Sequence, residues 1–147
     1  MANRSTSTLF VKSSREEGNR IVIDIKIMLA ALWVMLMLTY LLGDVLRIFS
    51  GDFKLGEING MPAAQVTQAM WLGIAVLMLI PILMIFASLT LSYPINRWAN
   101  IIVAIGFFLF NLAGLPTYSS AYDKFLIVVG LVFNVLTVWY AWNWNEL

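Results

Sequence analysis

Four long uncharged stretches, separated by short polar segments, make up most of this chain. They run from Ile27 to Gly43, from Ile58 to Asn96, from Trp98 to Tyr122 and from Phe125 to Asn145. A helix needs about 20 mostly apolar residues to cross a bilayer. The pattern therefore predicts an all-α polytopic membrane protein, built as an antiparallel bundle of four transmembrane helices.

Turn and charge signals give the boundaries of these helices. We place them at about residues 25–49, 66–93, 98–115 and 125–144. Asn59-Gly60 is a strong turn pair within the first loop, and the third helix stops before Pro116. Residues 1–24 are rich in Ser, Thr and charge, and we expect a flexible cytoplasmic tail there. Residues 25–147 then form a single membrane domain.

The distribution of Lys and Arg predicts the orientation of the bundle, because cytoplasmic loops carry an excess of these residues. With the N-terminus inside, the cytoplasmic side carries six of them: Arg4, Lys12, Arg15, Arg20, Lys26 and Arg97. The opposite side carries three: Arg47, Lys54 and Lys124. We expect a multi-pass protein of the cell membrane, inner or plasma, with both termini in the cytoplasm.

Composition narrows the chemistry that the chain can perform. Hydrophobic residues make up 61% and charged residues 12%, against about 25% charged in soluble domains. The net charge of +1 gives no signal for nucleic acid. The chain has no Cys and no His, which removes thiolate and imidazole ligands and nucleophiles. We therefore expect no metal and no cofactor.

Asp44 is the strongest candidate for a functional residue. Arg47 follows it by three positions, and Tyr40 precedes it by about one helical turn, so the three share a helix face. Gln68 and Tyr118 are expected at the same level of the bundle. An ionisable residue near membrane depth is a functional hypothesis. Two interpretations remain: an ion pair of Asp44 with Arg47 at a helix end, or an outward-opening pocket that receives a polar headgroup.

Asn111 and Asn134 form a second candidate pair. Each lies near the middle of its predicted span, so both are expected at a similar depth, facing the bundle interior. A buried amide in hydrocarbon needs a hydrogen-bond partner. The pair is interpreted as an interhelical polar contact, and a ligand or ion site in the bundle centre is the alternative.

Several short segments carry a resemblance to a known family. Tyr40-Leu-Leu-Gly-Asp44 closes the first helix, Asn96-Arg-Trp-Ala-Asn-Ile101 opens the third, and Trp139-Tyr-Ala-Trp142 closes the fourth. With Ile80-Pro81-Ile82, they resemble an uncharacterised prokaryotic family of four-helix membrane proteins, a domain of unknown function, over nearly all of residues 25–145. A looser similarity to DoxX-like membrane proteins concerns the fold alone. The resemblance implies a topology and no activity.

Three classes of function fit these observations. The first is non-catalytic binding of an apolar or lipid-like ligand or of partner subunits, further copies of this chain included. The second is an oligomeric proton-coupled exporter, which needs a carboxylate deeper in the bundle than Asp44. The third is a lipid-modifying membrane enzyme, which without His or Cys needs clustered carboxylates. Each predicted helix has at most one carboxylate, so elimination favours binding.

Overall fold

The chain folds into four helices joined by short connections. The computed structural model describes residues 3–52, 57–58, 61–62, 65 and 67–144. Its helices are α1 (Asn3–Ser50), α2 (Gln68–Thr90), α3 (Ile95–Gly114) and α4 (Ala121–Trp142), and a 3₁₀ turn, Leu115–Thr117, follows α3. Two short strands, β1 (Glu57–Ile58) and β2 (Met61–Pro62), pair antiparallel. The predicted all-α fold is confirmed.

Each helix contains a segment that is long and apolar enough to cross a membrane. These segments are Ile25–Ser50, Gln68–Thr90, Ile95–Thr117 and Ala121–Trp142, and they contain 22 to 26 residues. At a rise of 1.5 Å per residue, the shortest extends for about 33 Å, which covers a hydrocarbon core of about 30 Å.

The first helix is much longer than the span within it. α1 runs for 48 residues from Asn3, through the segment that we predicted as a flexible tail. Residues 3–50 contain no Pro, so no residue of this stretch removes a backbone donor from the helix. Apolar residues dominate only from about Ile25. Hydropathy therefore marks the membrane-length segment rather than the whole helix.

The loop after α1 and the start of α2 also differ from the prediction. Pro62 lies in β2, and the turn predicted at Asn59-Gly60 falls outside the described residues, between the two strands. α2 begins at Gln68 rather than near residue 66. Thr67 caps it, because its hydroxyl accepts a hydrogen bond from the backbone N–H of Met70 at 3.3 Å.

Two further boundaries follow local chemistry that hydropathy does not register. α2 ends at Thr90, and α3 begins at Ile95, immediately after Pro94, because a proline disfavours helical backbone in the residue before it. α4 begins at Ala121, four residues before the predicted start. Its first turn is polar and contains Asp123, which is favourable near a helix N-terminus.

The core of the bundle lies where α1, α2 and α3 meet. Its buried apolar side chains are Trp33, Leu36, Met84, Ala104 and Phe107. A second cluster joins the first part of the α1 span to the start of α3 and the end of α4, through Leu29, Ile101, Ala141 and Trp144. The start of the α1 span thus lies beside the start of α3 and the end of α4.

The two halves of α2 are packed very differently. Every residue from 68 to 76 is exposed, whereas the buried residues Pro81, Met84 and Ser88 all lie in the second half. A Cβ atom added at Gly73 would meet nothing within 4 Å. Residues 68–76, in the first half of α2, therefore stand apart from the other helices.

Candidate functional site

A cavity of about 460 Å³ lies between α1, α3 and the first turns of α4. Its wall combines apolar and polar side chains. Its lining comes mainly from three parts of the chain. α1 contributes Thr39, Tyr40, Gly43, Asp44 and Arg47, and α3 with the 3₁₀ turn after it contributes Phe110, Asn111, Ala113, Gly114 and Thr117. The other lining residues are Met78, Tyr118, Asp123, Leu126 and Ile127. α2 contributes Met78 alone.

The structure brings four of the five predicted ligand-binding residues onto this wall. Tyr40, Asp44, Arg47 and Tyr118 all line the cavity. Gln68 does not, because it begins the exposed first half of α2, which does not pack onto the bundle. Equal depth along two helices does not bring side chains together when the helices diverge.

Arg47 forms an ion pair with Asp123, not with Asp44. The Arg47 Nη2 donates to the Asp123 Oδ1 at 3.1 Å, and the guanidinium also lies over the ring of Tyr118, 5.0 Å from its centroid. The Asp123 side chain is only 7% exposed, so its charge needs a partner inside the protein. This requirement explains why the predicted Asp44–Arg47 pair does not form.

Asp44 is consequently a carboxylate without a partner. Its side chain is exposed on the cavity wall, and it makes no hydrogen bond and no ion pair with any residue that the structure describes. Its two oxygens are acceptors when ionised. They are available to a group that enters the cavity.

The deeper part of the wall is built from Tyr40 and Asn111. The Asn111 Nδ2 donates to the Tyr40 hydroxyl at 2.6 Å and to the backbone carbonyl of Phe107 at 2.7 Å. The first of these bonds joins α3 to α1. Both donor hydrogens of the amide are therefore used, while its carbonyl oxygen remains an acceptor.

Asn134 is buried like Asn111 but is bonded differently. It is 1% exposed, and its Nδ2 donates to the carbonyl of Gly130, in its own helix, at 3.0 Å. Its Oδ1 has no partner, and no hydrogen bond joins it to Asn111. The predicted contact between the two amides is thus replaced by the Asn111–Tyr40 bond. Asn134 instead borders a smaller apolar cavity of about 320 Å³ beside Trp139.

A polar network at the opposite end of the bundle was not predicted. The Asn100 Oδ1 accepts from the Trp33 Nε1 at 2.7 Å and from the Ser88 hydroxyl at 3.1 Å. The Asn100 Nδ2 donates to the Asn96 Oδ1 at 2.7 Å, and the Asn96 Nδ2 donates to the Ser88 carbonyl at 2.7 Å. We call these four residues, Trp33, Ser88, Asn96 and Asn100, the packed end. We call the region around the 460 Å³ cavity the cavity end. In the sequence, the signal for the network at the packed end was the spacing of Asn96 and Asn100, four positions apart at the start of α3.

Asp123 was also absent from the predicted site. It precedes the buried residues Gly130, Asn134, Thr137 and Ala141 on one face of α4. Extending that stripe two turns toward the N-terminus reaches Asp123, because seven residues are close to two helical turns. The helical spacing of these buried positions therefore carried a signal for a buried carboxylate at position 123.

The sequence of this chain also matches a known protein family. Residues 21–147 match a family of unknown function, DUF6326. The chain belongs to this family. The predicted resemblance to a domain of unknown function is confirmed, and the match covers all four membrane-length segments. No curated protein and no solved structure matches the chain. The looser similarity to DoxX-like proteins stays a prediction about the fold.

A second polar cluster joins α1 to α4 beside the cavity end. The exposed carboxylate of Asp52 accepts from the hydroxyls of Tyr122 at 2.6 Å, Ser120 at 2.7 Å and Ser50 at 3.1 Å. These hydrogen bonds, that of Tyr122 first, lower the pKa of Asp52 below its ordinary value of 3.8. The Oδ2 of Asp52 thus accepts three hydrogen bonds, whereas Asp44 accepts none from the described residues.

The cavity wall combines few charged groups with a larger apolar surface. Of the two carboxylates that the described residues place there, Asp123 is held by Arg47 and Asp44 is unpaired. Within the described residues, no three His, Cys, Asp or Glu side chains are grouped to hold a metal ion. What the wall offers is one free carboxylate, a set of hydroxyl and amide oxygens, and an apolar surface.

Proposed function

We propose that this protein is a small integral membrane protein that binds a lipid-like ligand in the cavity of the cavity end, without catalysis. The single observation that carries this proposal is an amphipathic cavity containing an unpartnered carboxylate. A volume of about 460 Å³ is within the range of about 300–1,000 Å³ typical of small-molecule sites. Asp44 would meet the polar end of the ligand, and Phe110, Leu126 and Ile127 its apolar part.

The packing of α2 supports a ligand that comes from the bilayer. Residues 68–76 stand apart from the bundle, and α2 reaches the cavity only through Met78. On this side, none of residues 68–76 lines the wall. An apolar chain could therefore extend out of the cavity beside α2 while its headgroup stays near Asp44.

The distribution of positive charge supports an orientation for this site. Both termini would be cytoplasmic in the cell membrane, with six Lys and Arg residues on that side against three on the other. The connection between α1 and α2 and the turn before α4 would then face outward. The cavity would lie in the outer half of the membrane, open to lipids of the outer leaflet.

Filling the cavity tests the proposal. Gly114 lies on the cavity wall, and the leucine side chain of Gly114→Leu would occupy part of the cavity. An added Cβ at this position would already lie 3.8 Å from the ring of Tyr118. The matched control is Gly106→Leu in the same helix, where an added Cβ meets nothing within 4 Å. Each protein is purified in mild detergent, and its bound lipids are extracted and identified by mass spectrometry.

The proposal requires a specific pattern in this experiment. The natural chain and Gly106→Leu should retain the same amphiphile, and Gly114→Leu should lose it. If all three proteins carry only the average lipids of the membrane, in the same proportions, the cavity does not select a ligand and the proposal is wrong.

Proton-coupled export is a second candidate, and the unpartnered state of Asp44 is the observation that favours it. An exporter needs a carboxylate that exchanges a proton for its substrate. Cells that produce the natural chain should then resist a toxic lipophilic cation such as tetraphenylphosphonium, and cells that produce Asp44→Asn should not. A binding protein would leave the two strains equally sensitive. No observation favours the third class, a lipid-modifying enzyme, because the wall has a single unpaired carboxylate.

A further inference from the structure

We propose that the ligand of the cavity end carries a primary ammonium group, which Asp44 binds as an ion pair. This inference rests on the proposed function, since it concerns the polar end of the ligand that the cavity receives. It follows from two separate properties of the wall, its charge and its hydrogen-bonding groups.

The charges on the wall do not balance. Among the described residues, three charged side chains line the cavity, and Arg47 is engaged with Asp123 at 3.1 Å. The formal charge left over is the single negative charge of Asp44. A cationic headgroup would neutralise it, whereas an uncharged headgroup would displace water from the carboxylate and provide no counter-charge.

An anionic headgroup would meet a wall whose uncompensated charge is already negative. The positive charge of Arg47 is balanced by the buried carboxylate of Asp123, and its guanidinium lies over the ring of Tyr118, 5.0 Å from its centroid. An anion could still bind the N–H groups of Arg47 that Asp123 leaves free, but it would add a second unbalanced negative charge beside Asp44. The charge of the wall therefore favours a cation over the phosphate or carboxylate of an anionic lipid.

Two threonine hydroxyls on the wall act as acceptors toward the cavity. The hydroxyl of Thr39 donates to the backbone carbonyl of Met35 at 2.8 Å, and that of Thr117 donates to the carbonyl of Gly114 at 2.7 Å. Each hydroxyl has thereby used its only hydrogen and presents lone pairs to the cavity.

The amide of Asn111 has the same property. Its two hydrogens are taken by the hydroxyl of Tyr40 and the carbonyl of Phe107, so it offers the cavity only its Oδ1. With the carboxylate of Asp44, the described residues of the wall present four acceptor groups. The donors they leave free are the hydroxyls of Tyr40 and Tyr118 and the N–H groups of Arg47 that Asp123 does not take. The four acceptors suit a ligand that carries several donors.

A primary ammonium satisfies both properties. It carries a positive charge and three N–H donors, and it has no acceptor. A trimethylammonium group has the charge but no N–H to give to Asn111, Thr39 or Thr117. The acceptor-rich wall thus distinguishes a primary amine from a quaternary one.

Four probes with the same twelve-carbon chain test the inference: dodecylammonium, dodecyltrimethylammonium, dodecyl sulfate and dodecanol. The full-length chain is placed in phosphatidylcholine nanodiscs, and binding of each radiolabelled probe is compared with that of empty nanodiscs. We expect saturable binding of dodecylammonium that is about tenfold tighter than that of any other probe, as one uncompensated charge contact would give.

Matched carboxylate variants assign the effect to Asp44. Asp44→Asn should weaken dodecylammonium binding to the level of dodecanol, and Asp44→Glu, which keeps the charge, should retain most of it. Asp52→Asn is the control, because Asp52 is an exposed carboxylate at the same end that does not line the cavity. It should leave the binding of all four probes unchanged.

The possible results separate this inference from the proposed function. Equal or tighter binding of dodecyl sulfate or dodecyltrimethylammonium, or unchanged dodecylammonium binding in Asp44→Asn, would overturn the primary ammonium assignment while leaving an amphiphile site in place. If no probe binds saturably to the natural chain, the proposed function itself fails.

Discussion

The packed end and the cavity end differ in how completely their polar side chains are paired. At the packed end, Asn100 accepts from Trp33 and Ser88 and donates to Asn96, so its carbonyl oxygen and its amide nitrogen are both engaged. At the cavity end, Arg47 is paired with Asp123, but Asp44 has no partner among the described residues. The cavity end therefore keeps one unpaired carboxylate, and the packed end has none.

This difference shows what polar residues do within a chain that is otherwise apolar. A buried amide that is fully paired joins helices, because leaving it unpaired in an apolar environment is costly. An unpaired carboxylate beside a cavity contributes no such link. The network of the packed end therefore links helices, whereas Asp44 makes no such link among the described residues.

Substitution of Asn100 should have the largest effect on stability. Asn100→Leu removes the acceptor of the Trp33 N–H and of the Ser88 hydroxyl, and it leaves the Asn96 Oδ1 without its donor. We expect the free energy of unfolding in mixed micelles to fall by about 2–3 kcal/mol, as several small contributions are lost together.

Asn134→Leu is the matched control for this prediction. Asn134 is equally buried, but its amide bonds only to the carbonyl of Gly130 in its own helix. Asn134→Leu should therefore lower the free energy of unfolding by less than about 1 kcal/mol. Equal losses for the two variants would mean that burial alone, and not the network, distinguishes the packed end.

Breaking the Arg47–Asp123 pair should have the next largest effect. Arg47→Gln leaves the carboxylate of Asp123 buried without its cation, and we expect a loss of about 1–2 kcal/mol, because Arg47 is itself partly exposed. In the double variant with Asp123→Asn, part of this loss should return. Strictly additive losses in a double-mutant cycle would show that the two side chains are not energetically coupled.

The sequence predicted the bundle well because hydropathy reports the environment of whole segments. All four membrane-length segments were located, since a run of about 20 apolar residues has few alternatives. It did not predict the helix before Ile25, where polar residues carry no hydropathy signal. Nor did it predict the polar first turn of α4, for the same reason.

The sequence predicted part of the candidate site: it identified Tyr40, Asp44, Arg47 and Tyr118 but missed Asp123 and the pairing of the charged groups. Residues three or four apart on one helix are visible in the sequence, and this placed Tyr40, Asp44 and Arg47 together. Which carboxylate takes Arg47 depends on how α4 approaches α1, and a single sequence does not contain that geometry. The divergence of α2, which removes Gln68 from the site, is equally a property of packing.

Asp52 provides a smaller, pH-dependent effect at the cavity end. Hydrogen bonds from Tyr122, Ser120 and Ser50 lower its pKa in the folded protein below the ordinary value of 3.8. A carboxylate with a lowered pKa stabilises the fold above its unfolded pKa, and this contribution is lost as the pH falls through the folded pKa. Stability should therefore decline below about pH 4.

The measurement is a series of thermal unfolding curves from about pH 5 to about pH 2.5. Asp52→Asn should be less stable than the natural chain at pH 5, and the two should converge in acid. If their difference stays constant across the series, the hydroxyl contacts of Asp52 do not depend on its charge.

Replacement of Asp44 should have the smallest effect on stability of all. Asp44 is exposed, and it has neither a hydrogen bond nor an ion pair with the described residues, so Asp44→Asn removes no contact. The free energy of unfolding of Asp44→Asn should stay within about 0.5 kcal/mol of that of the natural chain, as for surface substitutions in general.

Arg47→Gln is the reference for this prediction, because it changes a charged neighbour on the same helix face. A loss for Asp44→Asn as large as for Arg47→Gln would mean that Asp44 has a structural partner, and the contrast between the two ends would disappear. An unchanged stability, together with lost amphiphile binding, would assign Asp44 to the ligand alone.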